Sequence, residues 1–251
     1  MSSKINILRE IQHKKNGGLL MSDKIGDTIA KVIKNNKTKF INQSIKSNVE
    51  ALKIDNQQYM IEPYIPLSLE RIIAILSGSS GSGKSLLSSI LCQQYKKHFP
   101  KNKVYFVSQI NYKDDINLKG LNLIQLPTDE MDKYIIEDYK NSLILFDDND
   151  FNPDLKKIMS FLNKVVELGR KFGTSAFFST HIHSRLNISP IYKEANLYIT
   201  FNDSLINNRM LENNLKIDKS IIEELKKQNH AFICFNNVFK TIITDSIIFK
   251  Y

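Results

Sequence analysis

The sequence predicts an α/β domain built on a mostly parallel central sheet. Three observations carry the prediction. From residue 71 onward, short apolar runs alternate with stretches of helical period; a Gly/Ser-rich loop stands between the first run and the first stretch; and a later run ends abruptly in two carboxylates.

Residues 1 to 27 are polar, rich in Lys and Asn, and without a sustained period, so a flexible N-terminal arm is expected there. Residues 28 to 67 read as an N-terminal extension. In it Ala30-Lys-Val-Ile, Phe40-Ile-Asn-Gln and Tyr59-Met-Ile-Glu-Pro suggest a short helix and one or two edge strands, and Pro63 and Pro66 punctuate the end. The main domain is expected over residues 68 to 251. Arg71-Ile-Ile-Ala-Ile-Leu76 reads as a buried strand. A helix follows from Ser85 to about His98, with Leu86, Leu87, Ile90 and Leu91 as its apolar residues. Lys103–Ser108, Leu121–Leu126 and Ser142–Phe146 are further strand candidates. Pro153–Lys171 is an amphipathic helix that Gly169 and Gly173 stop. Thr174–Ser179 and Leu197–Phe201 are strand-like, Lys219–Lys227 is helical, and His230–Tyr251 reads as a C-terminal β-hairpin around Asn236-Asn237.

The sharpest signal is Gly78-Ser79-Ser80-Gly81-Ser82-Gly83-Lys84-Ser85. It fits G-x-x-x-x-G-K-[ST] in the strand–loop–helix context that gives the pattern its meaning, the phosphate-binding loop of P-loop NTPases. Glycines at 78, 81 and 83 would let the backbone take positive φ and approach phosphates closely. The loop amides and the positive end of the following helix would cradle the anion. Lys84 would reach the β and γ phosphates of ATP, and the Ser85 hydroxyl would ligate Mg²⁺.

Hydrolysis needs more than a cradle. Ser142-Leu-Ile-Leu-Phe-Asp147-Asp148 delivers carboxylates to the carboxyl edge of the sheet, where the loop also emerges. Asp147 would hold Mg²⁺ through a water, and Asp148 would orient or deprotonate the attacking water. The bland alternative is a solvated acidic turn, Asp147-Asp-Asn-Asp150. Thr174–Ser179 finishes in Thr180-His181, either of which would sense the γ-phosphate at such a strand tip. His181 and His183 are also spaced as a metal pair, although no third ligand is nearby.

Composition bounds the rest. The chain has 251 residues and a net charge of +9, which favours a polyanionic partner. Its cations are mostly lysines, a bias that tracks an AT-rich genome as well as function. Arginine occurs only as Arg9, Arg71, Arg170, Arg185 and Arg209. Arg170 and Arg185, which follows the His pair, are therefore conspicuous as candidates for an arginine finger reaching a neighbouring subunit, worth about 10³–10⁵ in rate; Arg170 also fits a charge favoured by a helix C-terminus. No apolar run is long enough for a membrane span, no secretory leader is expected, and the only cysteines, Cys92 and Cys234, rule out a disulfide scaffold.

Gly78–Ser85, Leu143–Asp148, Leu168-Gly-Arg-Lys-Phe-Gly173, Phe177-Phe-Ser-Thr-His-Ile-His183 and Tyr192–Phe201 follow one another in an order that resembles the packaging-type ATPases of large DNA viruses. These poxvirus-like enzymes belong to the FtsK–HerA class of P-loop motor ATPases, and the resemblance covers about residues 68 to 202. It implies an additional-strand (RecA/FtsK-like) sheet, with Thr174–Ser179 inserted between the P-loop strand and the acidic strand. It also implies a homo-oligomeric ring, hydrolysis at subunit interfaces, and double-stranded DNA driven into a capsid, with a capsid or portal protein as a further partner. The implied location is the host cytoplasm, in a viral factory, or the virion. Cellular relatives usually carry Glu where this chain has Asp148, and Gln where it has Thr180 or His181. The residues also leave two other readings open: a nucleoside or nucleotide kinase, and a non-translocating ATP-binding regulator.

Overall fold

The computed structural model describes residues 19–20, 28–34, 37–43, 52–53, 60–66, 68–181, 189–201, 211–213, 215–227, 230–245 and 247–250. The expected arm over residues 1 to 27 thus falls, apart from Leu19–Leu20, outside the described residues. The chain divides into two packed units. One is Leu69–Tyr198; the other joins Met1–Ser68 to Ile199–Tyr251.

In the second of these units, β1 (Leu19–Leu20), β2 (Thr28–Lys34), β3 (Lys37–Gln43) and, beyond β4 (Leu52–Lys53), β5 (Met60–Pro63) supply an antiparallel sheet of order β1-β3-β2-β5. The short helix expected at Ala30-Lys-Val-Ile is strand instead. Two β-branched neighbours favour extended backbone, and the register shift between Thr28 and Ala30 makes a bulge that buries both Ile29 and Ala30.

The unit Leu69–Tyr198 carries the predicted parallel sheet. Its strands are β6 (Ile73–Ser77), β7 (Val104–Val107), β8 (Ile124–Gln125), β9 (Leu143–Phe146) and β10 (Ser175–Thr180), paired in the order β6-β10-β9-β7-β8 and parallel throughout. β10 therefore lies between the P-loop strand β6 and the acidic strand β9, the additional-strand arrangement of a P-loop NTPase. Every residue of β6, β9 and β10 is buried, as a sheet covered on both faces requires.

Helix α1 (Lys84–His98) links β6 to β7, and α2 (Leu155–Leu168) links β9 to β10 in the opposite direction along the sheet. Right-handed crossovers put them on opposite faces. The inward face of α1 is Leu87, Leu91, Cys92 and Tyr95; Leu86, expected to be apolar core, is 54% exposed. Residues four apart stack on one stripe, and Leu86 is turned one position off it. The inward face of α2 is Ile158, Phe161, Leu162, Val165 and Val166. Arg71, just before β6, donates from Nη2 to the Val165 and Val166 carbonyls and so closes the end of α2.

Helix α3 (Ser189–Glu194) leads to β11 (Leu197–Thr200), where the chain passes from one unit to the other. Helix α4 (Lys219–Lys226) then precedes β12 (Ile233–Asn236), β13 (Thr241–Thr244) and β14 (Ile247–Lys250). The expected C-terminal hairpin is β12–β13, with β14 added as a third antiparallel strand and β4 paired against it. No helix among the described residues is long and apolar enough to cross a membrane.

Phe177 is fully buried in β10, paired on one side with Ala74 and on the other with Leu145. Phe177→Ala is expected to lower unfolding free energy by about 3–5 kcal/mol in urea titrations; a loss under about 1 kcal/mol would contradict this packing.

Candidate functional site

Parallel strands deliver their carboxyl ends to one edge, and the pairing is specific about which residues meet there. Ser77 stands opposite Thr180, and Phe178 opposite Phe146. The loop after β6, the carboxylates after β9 and the polar tip of β10 thus converge.

The loop folds as its motif requires. Gly83 (φ +103°) and Gly81 (φ +74°) are left-handed, so a β-carbon at either is strained even though Gly81 has open space around it. Gly78, expected to share that conformation, does not have positive φ. It is buried at the end of β6, and its N–H donates to the Thr180 carbonyl at 3.2 Å. The first turn of α1 contains no acidic side chain to offset the helix's positive end. An open cleft of about 190 Å³ lies over it, lined by Ser80, Gly81, Gly83, Lys84, Ser85, Leu86, Asn117, Asp148 and His181. Ser79 and Ser82 complete the loop, joined by an N–H···O bond from Ser82 to the Ser79 carbonyl.

Lys84 is 95% buried, because its relative exposure is 5%. Its Nζ donates to the Gly78 and Ser79 carbonyls, both at 2.9 Å, and lies 3.1 Å from His181 Nδ1. Burial lowers its pKa, while Asp148, Asp147 and Asp150 oppose the shift. An ammonium can only donate, so His181 Nδ1 accepts, and its ring proton sits on Nε2. Nε2 then donates to Asp148 Oδ1 at 2.5 Å. His181 is therefore a bridge between the loop lysine and the candidate base. Asp148 reaches it from a left-handed turn (φ +50°), a conformation that Asp tolerates better than most residues.

Asp147 is placed differently. It is 4% exposed, its N–H donates to the Val107 carbonyl, and its Oδ1 has no hydrogen-bond partner among the described residues. Burial pushes its pKa up to about 6; Asp148 and Asp115 add to the rise, while Ser179 and Lys84 counter it. A dry acceptor without a donor, within electrostatic reach of Lys84, suits a hard cation or its water. No group of three or more His, Cys, Asp or Glu arranged to hold a metal occurs among the described residues. Mg²⁺ here would take most of its ligands from phosphate and water.

Of the two sensor candidates, Thr180 is fully buried and gives its hydroxyl to Asp150 Oδ1 at 2.6 Å, whereas the His181 ring lines the cleft. His183 and Arg185 lie outside the described residues. Arg170 is exposed in the 3₁₀ turn Gly169–Phe172. That turn precedes β10, so Arg170 stands at the amino edge of the sheet, away from its own chain's loop. It lines a cleft of about 360 Å³ with Arg71, Val166, Glu167, Lys193 and Glu194. Arg170 also follows directly on the end of α2, whose Val165 and Val166 carbonyls are bonded by Arg71.

Three residues at the site were not singled out by sequence reasoning. Asn149 is buried and ties the acidic loop to the Val107 carbonyl; Asp150 holds the tip of β10; Asn117 lines the cleft. The first two stood in the sequence only as members of an acidic turn, and nothing in the local pattern distinguished Asn117.

No family model matches the chain. A curated relative, uncharacterized protein V3 of Sputnik virophage, is 29% identical over 167 residues, which span 63% of this chain and 66% of that protein. The fold is similar to the genome packaging NTPase B204 of Sulfolobus turreted icosahedral virus 2 bound to ATPγS (TM-score 0.49, 16% identity, 70% of this chain, 98% of that one). It is also similar to EssC (ATPases 2 and 3) of Geobacillus thermodenitrificans (TM-score 0.41, 15% identity, 62% and 38%) and to the pCW3 conjugation coupling protein TcpA (TM-score 0.44, 11% identity, 99% and 93%).

The raised pKa of Asp147 carries a stability cost. Between pH 4 and about 6 the folded state holds a proton that the unfolded state has released, so folding weakens as pH rises through that window and the penalty persists above it. Asp147→Asn in nucleotide-free protein is expected to unfold at higher urea than wild type at pH 8, by about 1–3 kcal/mol, with the gap closing toward pH 4. Equal stability at pH 8 would mean that the carboxylate is not desolvated.

Proposed function

We propose that the chain is an ATP-hydrolysing motor subunit that drives double-stranded viral DNA into a capsid. The observation that carries this reading is the convergence, on one sheet edge, of a phosphate loop, a buried carboxylate and a carboxylate–histidine–lysine bridge, with β10 inserted between the strands that supply the first two. The match to a virophage protein agrees with a viral setting.

In this reading the β and γ phosphates of ATP lie on the amides of Gly78–Ser85 and the positive end of α1. Lys84 exchanges the Gly78 and Ser79 carbonyls for phosphate oxygens. Ser85 and Asp147 would hold Mg²⁺, which when bound neutralises charge on the phosphates. Asp148 accepts a proton from, or orients, the attacking water. His181, freed from Lys84 when that side chain turns to the γ-phosphate, keeps its hydrogen bond to Asp148 and so reports occupancy to the base. Arg170 serves in trans, in a homo-oligomeric ring, because its own cleft is out of reach. Lysines of the core contact DNA phosphates, and a capsid or portal protein receives the ring, in the host cytoplasm or the virion.

A kinase needs an arginine over its own phosphates; Arg170, at the amino edge, is not placed for that, and Arg185 lies outside the described residues. An ATP-binding regulator would have no use for a base bridged to the loop lysine.

Steady-state ATPase measurements test the reading. Double-stranded DNA should stimulate turnover, and the stimulation should decline with salt as counterions are no longer released on binding; no stimulation at low salt would overturn the motor assignment. Lys84→Ala should raise the barrier by on the order of 3 kcal/mol, whereas wild-type turnover would remove the loop from the chemistry. In rings mixed with wild type, Arg170→Ala should lower activity more steeply than its share of subunits; a proportional fall would exclude the role in trans.

A further inference from the structure

Asp150 does not itself line the cleft over the loop, yet both its oxygens are committed to the tip of β10. Oδ1 accepts from Thr180 Oγ1 and Oδ2 accepts from the His181 backbone N–H, each at 2.6 Å. The strand tip it grips holds the loop in turn, because the Thr180 carbonyl accepts from Gly78 N–H. His181 is thus fixed from two sides by the same four-residue acidic turn, its backbone by Asp150 and its ring by Asp148. The turn is itself anchored, through Asn149 Nδ2 donating to the Val107 carbonyl at 2.8 Å. Neither carboxylate could do the other's work. Asp148 sits in the left-handed turn that aims it at the imidazole, and Asp150, two residues on, meets the backbone behind that ring.

We propose that Asp150 is a positioning residue for ATP hydrolysis: by clamping Thr180 and His181 it sets the imidazole at hydrogen-bond distance from Asp148 and Lys84 together. This inference rests on reading the loop as a nucleotide site. A bidentate carboxylate on a hydroxyl and an amide is charge-assisted at both contacts. Without it the strand tip loses the bonds from the Thr180 hydroxyl and the His181 N–H, and the ring no longer meets its two partners at once. Asp150 makes no bond to the loop itself, whose left-handed glycines and Lys84 contacts remain, so nucleotide affinity changes less than turnover.

The test compares wild type, Asp150→Asn, Asp150→Ala, His181→Ala and the double variant Asp150→Ala/His181→Ala, using full-length protein, Mg²⁺ and ATP, with a fluorescent ATP analogue for binding. Asp150→Asn keeps the shape of the side chain, and it decides the matter where Asp150→Ala folds poorly. Expected are analogue affinities and KM within about twofold of wild type and kcat reduced about tenfold or more. The double variant should be no slower than the slower single one, because Asp150 acts only through His181. Wild-type kcat in both Asp150 variants, or losses that multiply in the double variant, would overturn the proposal. A purely structural clamp would lower the unfolding midpoint while kcat per folded molecule held, and that also counts against it. Failure of wild-type protein to bind the analogue would instead defeat the nucleotide-site reading, and this inference with it.

Discussion

Burying the ammonium of Lys84 sets the terms for everything around it. A lysine 5% exposed needs acceptors, and the chain supplies two carbonyls from its own loop and one imidazole nitrogen from β10. Those contacts decide the tautomer of His181, which decides that Asp148 receives a hydrogen bond rather than competing for one. Lys84 is thus satisfied by partners of its own chain, and in the proposed role phosphate oxygens would replace them.

The opposite treatment of Asp147 is instructive. Two adjacent carboxylates occupy contrasting environments: Asp148 is partly exposed and hydrogen-bonded to a histidine, while Asp147 is dry and has an orphaned oxygen. Position along the strand causes the difference. Asp147 still belongs to the ladder, through its N–H to Val107, and its side chain is carried inward; Asp148 has already turned out of it. A carboxylate kept where its charge is costly is what the metal-holding role proposed for Asp147 calls for.

Much of this was legible in the residue order. A strand, a glycine-rich loop and a helix are local patterns, and so is an apolar run ended by carboxylates, so β6, α1, β9 and the loop could be read directly. The insertion of β10 between β6 and β9 came through family resemblance, since parallel pairing over a hundred residues leaves no local mark. The misreadings have the same origin. Leu86 belongs to an apolar cluster but faces the cleft, because helical phase and not composition selects the buried stripe. Ala30-Lys-Val-Ile is too short for its period to separate helix from strand, and pairing with β3 and β5 settled it. Asp150 was invisible as an individual because its significance lies in a contact thirty-one residues away, to the His181 amide.

Arg71 and Arg170 share the amino edge of the sheet but face different tasks: one is spent on the carbonyls ending α2, while the other projects outward beside Lys193 and Glu194. The phosphate loop is at the other edge. In the proposed ring, each copy would lend its guanidinium to one neighbour and borrow from another, a heterologous, head-to-tail contact that ends only when the accumulated rotation closes on itself.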